Sequence, residues 1–163
     1  MSFYQEFKDE IISLVGRVIY KYPLDDISRF AIVYDFGSIE FFPLYVAALT
    51  KKLELEYRDK ISSDSDYQLL WNPEEFSEYA TEDLIVNFSD SVVNFIGEAI
   101  QSQLDYELKI RTAICEACLA LNVKLNGKVF VYAVDPELAD LRKNLLIINN
   151  IPKDKAAELP SWA

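Results

Sequence analysis

Histidine is absent from the 163 residues, and that absence alone removes much familiar chemistry. Ser-His-Asp triads, Cys-His dyads and His-ligated metals all need an imidazole. Glycine is nearly as scarce: Gly16, Gly37, Gly97 and Gly127 stand far apart. A phosphate-cradling loop, a dinucleotide fingerprint and a nucleophile elbow each need glycines clustered within a few residues, so none of them fits. Two cysteines are too few for a disulfide scaffold. Apolar residues are spread too evenly for a membrane span. The first ten residues lack a basic start followed by an apolar run, so a cytoplasmic location is expected.

What the chain has in quantity is apolar and acidic. It is 51% hydrophobic and 13% aromatic, with a mean hydropathy of +0.03, which is too apolar for disorder. A chain of this length hides roughly two-thirds of its surface on folding, enough for one core. With no repeat, low-complexity tract or Gly/Ser/Pro-rich linker, residues 1–163 are read as a single globular domain.

Ser2 and Gln5 form a capping-box pattern ahead of Phe3, Phe7, Ile11, Leu14, Val15, Val18 and Ile19, which predicts a first helix to about Tyr20. Phe30–Phe36 is β-branched and aromatic, and Gly37-Ser38 then predicts a hairpin turn into Ile39–Phe42. Leu44–Tyr57 carries two signals: Leu44, Ala47 and Ala48 at helical spacing, then a strand-like alternation from Leu53 to Tyr57. Helix is expected for it. Asn72-Pro73-Glu74-Glu75 predicts a short capped helix. Beyond Ser89-Asp90, apolar residues including Val92, Ile96, Ile100, Leu104 and Leu108, then Ile110 to Leu121, predict one long helix or two in tandem, with a phase shift near 108–110. Val129–Val134 reads as a central strand buried on both faces. Asp135-Pro136-Glu137 reads as the start of a last helix to about Ile148. Irregular alternation points to an α+β fold: a small, mostly antiparallel sheet packed against several helices, including a long central one.

Net charge is −11, with a sequence pI of about 4.4. Such a chain repels nucleic-acid phosphates and anionic lipid, so neither nucleic acid nor membrane is an expected partner. The charge is unevenly placed. Residues 1–60 carry 10 acidic and 8 basic side chains and residues 109–163 carry 6 and 8, whereas residues 61–108 carry 11 acidic and no basic ones. Like charges gathered this densely oppose compaction slightly, but they raise the capture rate of a basic partner by ~10 to 10³-fold. The same stretch holds Tyr67, Trp71, Phe76 and Tyr79, aromatic residues able to anchor a protein interface. Asp64, Asp66, Tyr67, Trp71, Glu74, Glu75, Glu78, Tyr79, Glu82 and Asp83 are therefore the candidate partner-binding residues, and the expected partner is a basic protein. A solvated acidic face with the aromatics in the core is the competing reading.

Asp64, Asp66, Gln68 and Glu75 match positions 1, 3, 5 and 12 of a calcium loop, but Leu69 stands where the loop needs glycine. A carboxylate-dependent enzyme or a divalent-metal protein built on this region is the alternative function; no cofactor is expected. Cys115-Glu-Ala-Cys118 has C-x-x-C spacing inside a helical apolar pattern, which favours two core residues over a redox or zinc pair. Pro160-Ser-Trp162-Ala is expected to dock through the indole.

Leu70-Trp71-Asn72-Pro73-Glu74-Glu75-Phe76, a Trp-x-Pro-x-x-aromatic segment ahead of a long helix, resembles segments of the small acidic immunity proteins encoded beside bacterial polymorphic and contact-dependent-inhibition toxins. The resemblance runs roughly from Phe30 to Leu121. It implies an α+β inhibitor, not an enzyme, that binds the toxin's catalytic domain, often a basic nuclease, and occludes it. It transfers no catalytic residue.

Overall fold

The computed structural model describes residues 2–36, 43–102 and 105–163. In chain order its elements are α1 (Phe3–Ile19), β1 (Ile27–Tyr34), β2 (Leu44–Thr50), α2 (Lys51–Lys60), α3 (Asp90–Ser102), α4 (Tyr106–Leu125), β3 (Phe130–Val134), α5 (Leu141–Ile148) and α6 (Lys153–Ala156). Short 3-10 turns occupy Leu24–Asp26, Asp64–Leu70, Pro73–Glu75 and Ile85–Asn87. The class is α+β, as expected. The sheet is mixed rather than mostly antiparallel: among the described residues its order is β2-β1-β3, with β1 antiparallel to β2 and parallel to β3.

Ser2 caps α1 by accepting from the Gln5 amide at 3.2 Å. The Gln5 side chain reaches forward to Asp9 (2.8 Å), so the capping box is half made. Leu44–Tyr57, expected as helix, divides: its first half overturns the expectation and its second bears it out. Leu44–Thr50 is a strand, because nearly every residue of it is buried and helical spacing loses its meaning when both faces are apolar. Lys51–Lys60 is a helix, capped by the Thr50 hydroxyl at 3.2 Å. The predicted turn at Gly37-Ser38 with its arm Ile39–Phe42, and Leu104, lie outside the described residues. The tandem-helix reading holds, with α4 starting after Asp105, ahead of the expected phase shift. Asn126 (φ 50) and Gly127 (φ 80) then end α4 in left-handed conformations that turn the chain into β3. The helix expected as the last is α5, which starts at Leu141, later than expected, and a further short helix, α6, follows it. Pro136 sits in a turn whose Asp135 carboxylate accepts from the Ala139 and Asp140 amides at 3.1 and 2.8 Å.

β1 is the central strand and all eight of its residues are buried; β3, read as central, is buried but lies at an edge. Its outer backbone groups are met by side chains. Asn122 of α4 accepts from Val131 N–H at 2.7 Å and donates to Val131 C=O at 2.9 Å. Asn144 of α5 donates to Ala133 C=O at 2.8 Å and to the Tyr34 hydroxyl at 2.9 Å. On one sheet face, Trp71 packs edge-on against Tyr132 (5.1 Å) and Phe130 (6.4 Å). The Trp71 indole N–H donates to Glu158 C=O at 3.0 Å, and the Arg29 guanidinium lies 4.7 Å from its ring. The other face turns Tyr34 towards α5, where its hydroxyl donates to Asp140 at 2.8 Å. The C-terminal tail docks through Ser161, whose N–H and hydroxyl donate to Asp64 (3.0 and 2.8 Å), and through Arg142 to the Ala163 carbonyl. Trp162 itself is half exposed, so the indole is not the anchor.

Both cysteines are buried and free, as two core residues one helical turn apart. Burial pushes the Cys115 thiol up from 9.0 to about 12 and raises Cys118, Tyr34 and Tyr132 as well. These acids stay protonated in the native state while the unfolded chain ionises. Their contribution is therefore full below about 9 and is lost as pH climbs towards 12. Denaturant midpoints measured at stepwise alkaline pH should be level near neutrality and fall steeply above the free thiol's pKa. A flat alkaline limb would contradict this core. Asn122→Leu should cost about 3 kcal/mol in the same assay, because it strands two buried backbone groups of Val131.

Candidate functional site: an acidic ribbon on the sheet edge

The free edge of β2 is met by the backbone of residues 78–84, which bridges to it at Glu78–Ala48 and Asp83–Tyr45 with a left-handed turn at Ala80 between. Ala48 N–H donates to Glu78 C=O (2.8 Å) and Glu78 N–H to Ala48 C=O (3.2 Å); Thr81 N–H donates to Val46 C=O (3.1 Å) and Leu84 N–H to Leu44 C=O (2.8 Å). Asn72 starts the ribbon by accepting from the Glu74 amide at 3.2 Å, with Pro73 opening a single 3-10 turn where a short helix was expected. Phe76, Leu84 and Ile85 point into the core, and Glu74, Glu75, Glu78 and Tyr79 face outwards.

The ribbon gathers tyrosines from other elements. Tyr22 donates to the Glu78 carboxylate at 2.7 Å, and Tyr57 of α2 donates to Glu75 C=O at 2.5 Å. Three phenols are held above their ordinary value. Partial burial is the largest cause in each; next come Glu74, Tyr45 and Asp35 for Tyr79, Glu78 and Glu82 against an opposing hydrogen bond with Thr81 for Tyr22, and Glu75 and Glu56 for Tyr57. All three are neutral donors near pH 7. Lys21, 3.5 Å from Glu82, is the one cation ion-paired with a ribbon carboxylate among the described residues.

Five of the candidate acids, Glu74, Glu75, Glu78, Glu82 and Asp83, thus lie along one edge, with Asp83 also capping the next turn by accepting from Ile85 N–H at 3.1 Å. The others divide. Asp64 holds the C-terminal tail, and Asp66 accepts from the Ser62 and Ser63 amides (2.9 and 3.0 Å), bonds that lower its pKa. Tyr67 is half buried against the core. Trp71 is wholly enclosed and is not a surface anchor; its size, which made it attractive as one, is what the sheet needs as a cover. Asp90 and Glu98 belong to α3, while Asp105 pairs with Lys109 at 3.2 Å. Asp64, Asp66 and Glu75 do not converge, and among the described residues no three His, Cys, Asp or Glu side chains form a metal-sized group. Sequence reasoning missed Tyr22, Tyr45, Tyr57, Asp35 and Glu56. Correct strand assignment for residues 44–50 would have placed Tyr45 beside Asp83, its bridge partner.

Ala80 adopts φ 50 in the middle of the ribbon. An L-residue there is strained by about 1–2 kcal/mol, and such strain concentrates where a segment's shape serves binding. No family model, curated protein or solved structure matches the chain. Among the described residues no helix is long and apolar enough to cross a membrane.

Replacing Ala80 by glycine should stabilise the fold by about 0.5–1 kcal/mol, the relief of strain less the extra chain entropy of glycine. Urea unfolding measures it, and a destabilised A80G would show that the left-handed turn is not strained.

Proposed function

We propose that the chain is a non-enzymatic binding protein of the immunity type, which neutralises a basic protein domain, a bacterial toxin module, by laying the acidic ribbon over its working surface. One observation carries this reading: five carboxylates stand beside tyrosines along one edge of the sheet, with Lys21 their one ion-paired cation among the described residues. Carboxylates spread along a ribbon steer a cationic surface from beyond contact range. At contact they pair with lysine and arginine, while phenol rings offer faces to guanidinium groups and hydroxyls for hydrogen bonds. Tyr79, 41% exposed, is the ring best placed for this role. Trp71 serves from beneath, fixing the segment from which the ribbon starts. Free, buried thiols suit the reducing cytoplasm in which such an inhibitor acts.

The partner to test is the product of the adjacent reading frame. A basic toxin module there is expected, and a metabolic operon in its place would remove the toxin reading. Its association rate should fall at least about tenfold between low and physiological salt. The triple variant E74K/E75K/E78K should weaken the complex by about 2–5 kcal/mol while leaving the fold intact. A rate flat with salt, or an unchanged triple variant, would place binding elsewhere.

A further inference from the structure

A cleft of about 550 Å³ opens between α2, the starts of β1 and β3, and the segment around α6. That is the volume of a small-molecule site. Its walls include Ser28, Lys51, Glu54, Lys128 and Lys155, and no ribbon residue. Ser28 sits where the β1–β2 register slips, between Ile27 and Arg29.

Two independent features mark this cleft. The first is charge. In a chain of net charge −11 it collects three ammonium groups against the carboxylates of Glu54 and Asp154. Among the described residues Lys51, Lys128 and Lys155 have no ion-pair partner, as Lys52, Lys60, Lys124 and Lys153 have none; what sets the three apart is that they line one cleft. Lys155 is half buried, and burial and nearby Arg29 lower its pKa. A bound anion would reverse that.

The second feature is unmet hydrogen bonding. Ser28 and Glu54, both less than a tenth exposed, carry a buried Oγ and Oε2 without a partner. Next to Ser28, Arg29 is fully buried with all three guanidinium nitrogens unpartnered and its nearest carboxylate, Glu54, 3.7 Å away. Glu54 Oε1 is already taken by Arg58, which also holds Glu158 at 2.8 Å. Buried polar atoms in native proteins are nearly always satisfied, by protein, water or ligand. Two such atoms, Ser28 Oγ and Glu54 Oε2, left open on residues that line one cationic cleft indicate a polar occupant.

We propose that this cleft binds a small phosphate-bearing molecule with free hydroxyl groups, of the sugar-phosphate class. The phosphate sits among Lys51, Lys128 and Lys155, and a hydroxyl reaches the Ser28 and Glu54 side. With Glu54 already offset by Arg58 and Arg29, three lysines less Asp154 leave two positive charges, which match a dianion and which a monocarboxylate would half compensate. Lysine is a point charge without arginine's fork, which suits a tetrahedral oxyanion approached from several directions. Glu54, as a carboxylate, accepts only, so it calls for a hydroxyl and not a second anionic group.

Calorimetric titration of the full chain tests this with ribose 5-phosphate, glucose 6-phosphate and glycerol 3-phosphate, beside inorganic phosphate. Saturable binding of at least one sugar phosphate is expected, with inorganic phosphate about tenfold weaker. K128Q and K155Q should each lower affinity about tenfold while keeping the wild-type circular dichroism, and K8Q, on α1, should leave it unchanged. Absence of saturable binding across the panel at millimolar concentration overturns the proposal. So does affinity undiminished in the K128Q/K155Q double variant. Equal affinity for inorganic phosphate and the sugar phosphates overturns the role given to Ser28 and Glu54.

Discussion

A sheet of three strands has two edges, and when its central strand is wholly buried both edges must find hydrogen-bond partners without help from water. That requirement organises this molecule. At β3 it is met by Asn122 and Asn144, side chains from two helices that stand in for a fourth strand. At β2 it is met by the backbone of residues 78–84. Asn144 is the tighter of the two asparagines in its network, because it also accepts from Arg111 at 2.9 Å and ties β1, β3, α4 and α5 together.

Sealing β2 asks only for backbone groups, so the outward side chains of the ribbon are free to serve another end. One physical use is protective. The ribbon itself ends the sheet, and charges along a terminal strand discourage pairing with a second molecule. That use accounts for the glutamates but not for Tyr79, an exposed ring that adds apolar area where protection would favour removing it. Nor does it account for strain at Ala80, which a glycine would avoid. The proposed partner recognition would account for all three, which is the argument for reading the acidic face as a binding one.

The sequence was legible where a local signal coincided with the tertiary demand. Ser2 and the Val129–Val134 run announced a helix start and a buried strand, and both are present; Asn72 does cap, but a 3-10 turn stands where a short helix was expected. It misled where burial erased periodicity. Leu44–Thr50 is apolar on both faces, so its spacing matches a helix as well as a strand, whereas Leu53, Leu55 and Tyr57 alternate by accident on α2, with Leu55 exposed. Charge counting pointed to residues 61–108, within which five carboxylates between Glu74 and Asp83 lie along one edge, but it also swept in Asp64 and Asp66, whose carboxylates are spent on local turns and the tail. Composition gives where charge is in the chain; hydrogen bonds decide which of it is available. Arg29 was invisible for the same reason, since nothing in its neighbours announces a guanidinium at zero exposure.

The acidic ribbon and the cationic cleft make opposite demands on the same electrostatic field. A net charge of −11 draws a basic partner from a distance and repels a small anion approaching the cleft. Screening over about 8 Å at physiological salt reconciles them, because the field of the whole chain fades beyond that length while lysines at contact distance act almost undiminished. Raising salt should therefore weaken capture at the ribbon and, until it competes at the cleft itself, relieve the barrier to anion entry. The two proposed sites would share a molecule without sharing a mechanism: one through long-range charge spread along an edge, the other through a few short-range contacts at the end of the sheet.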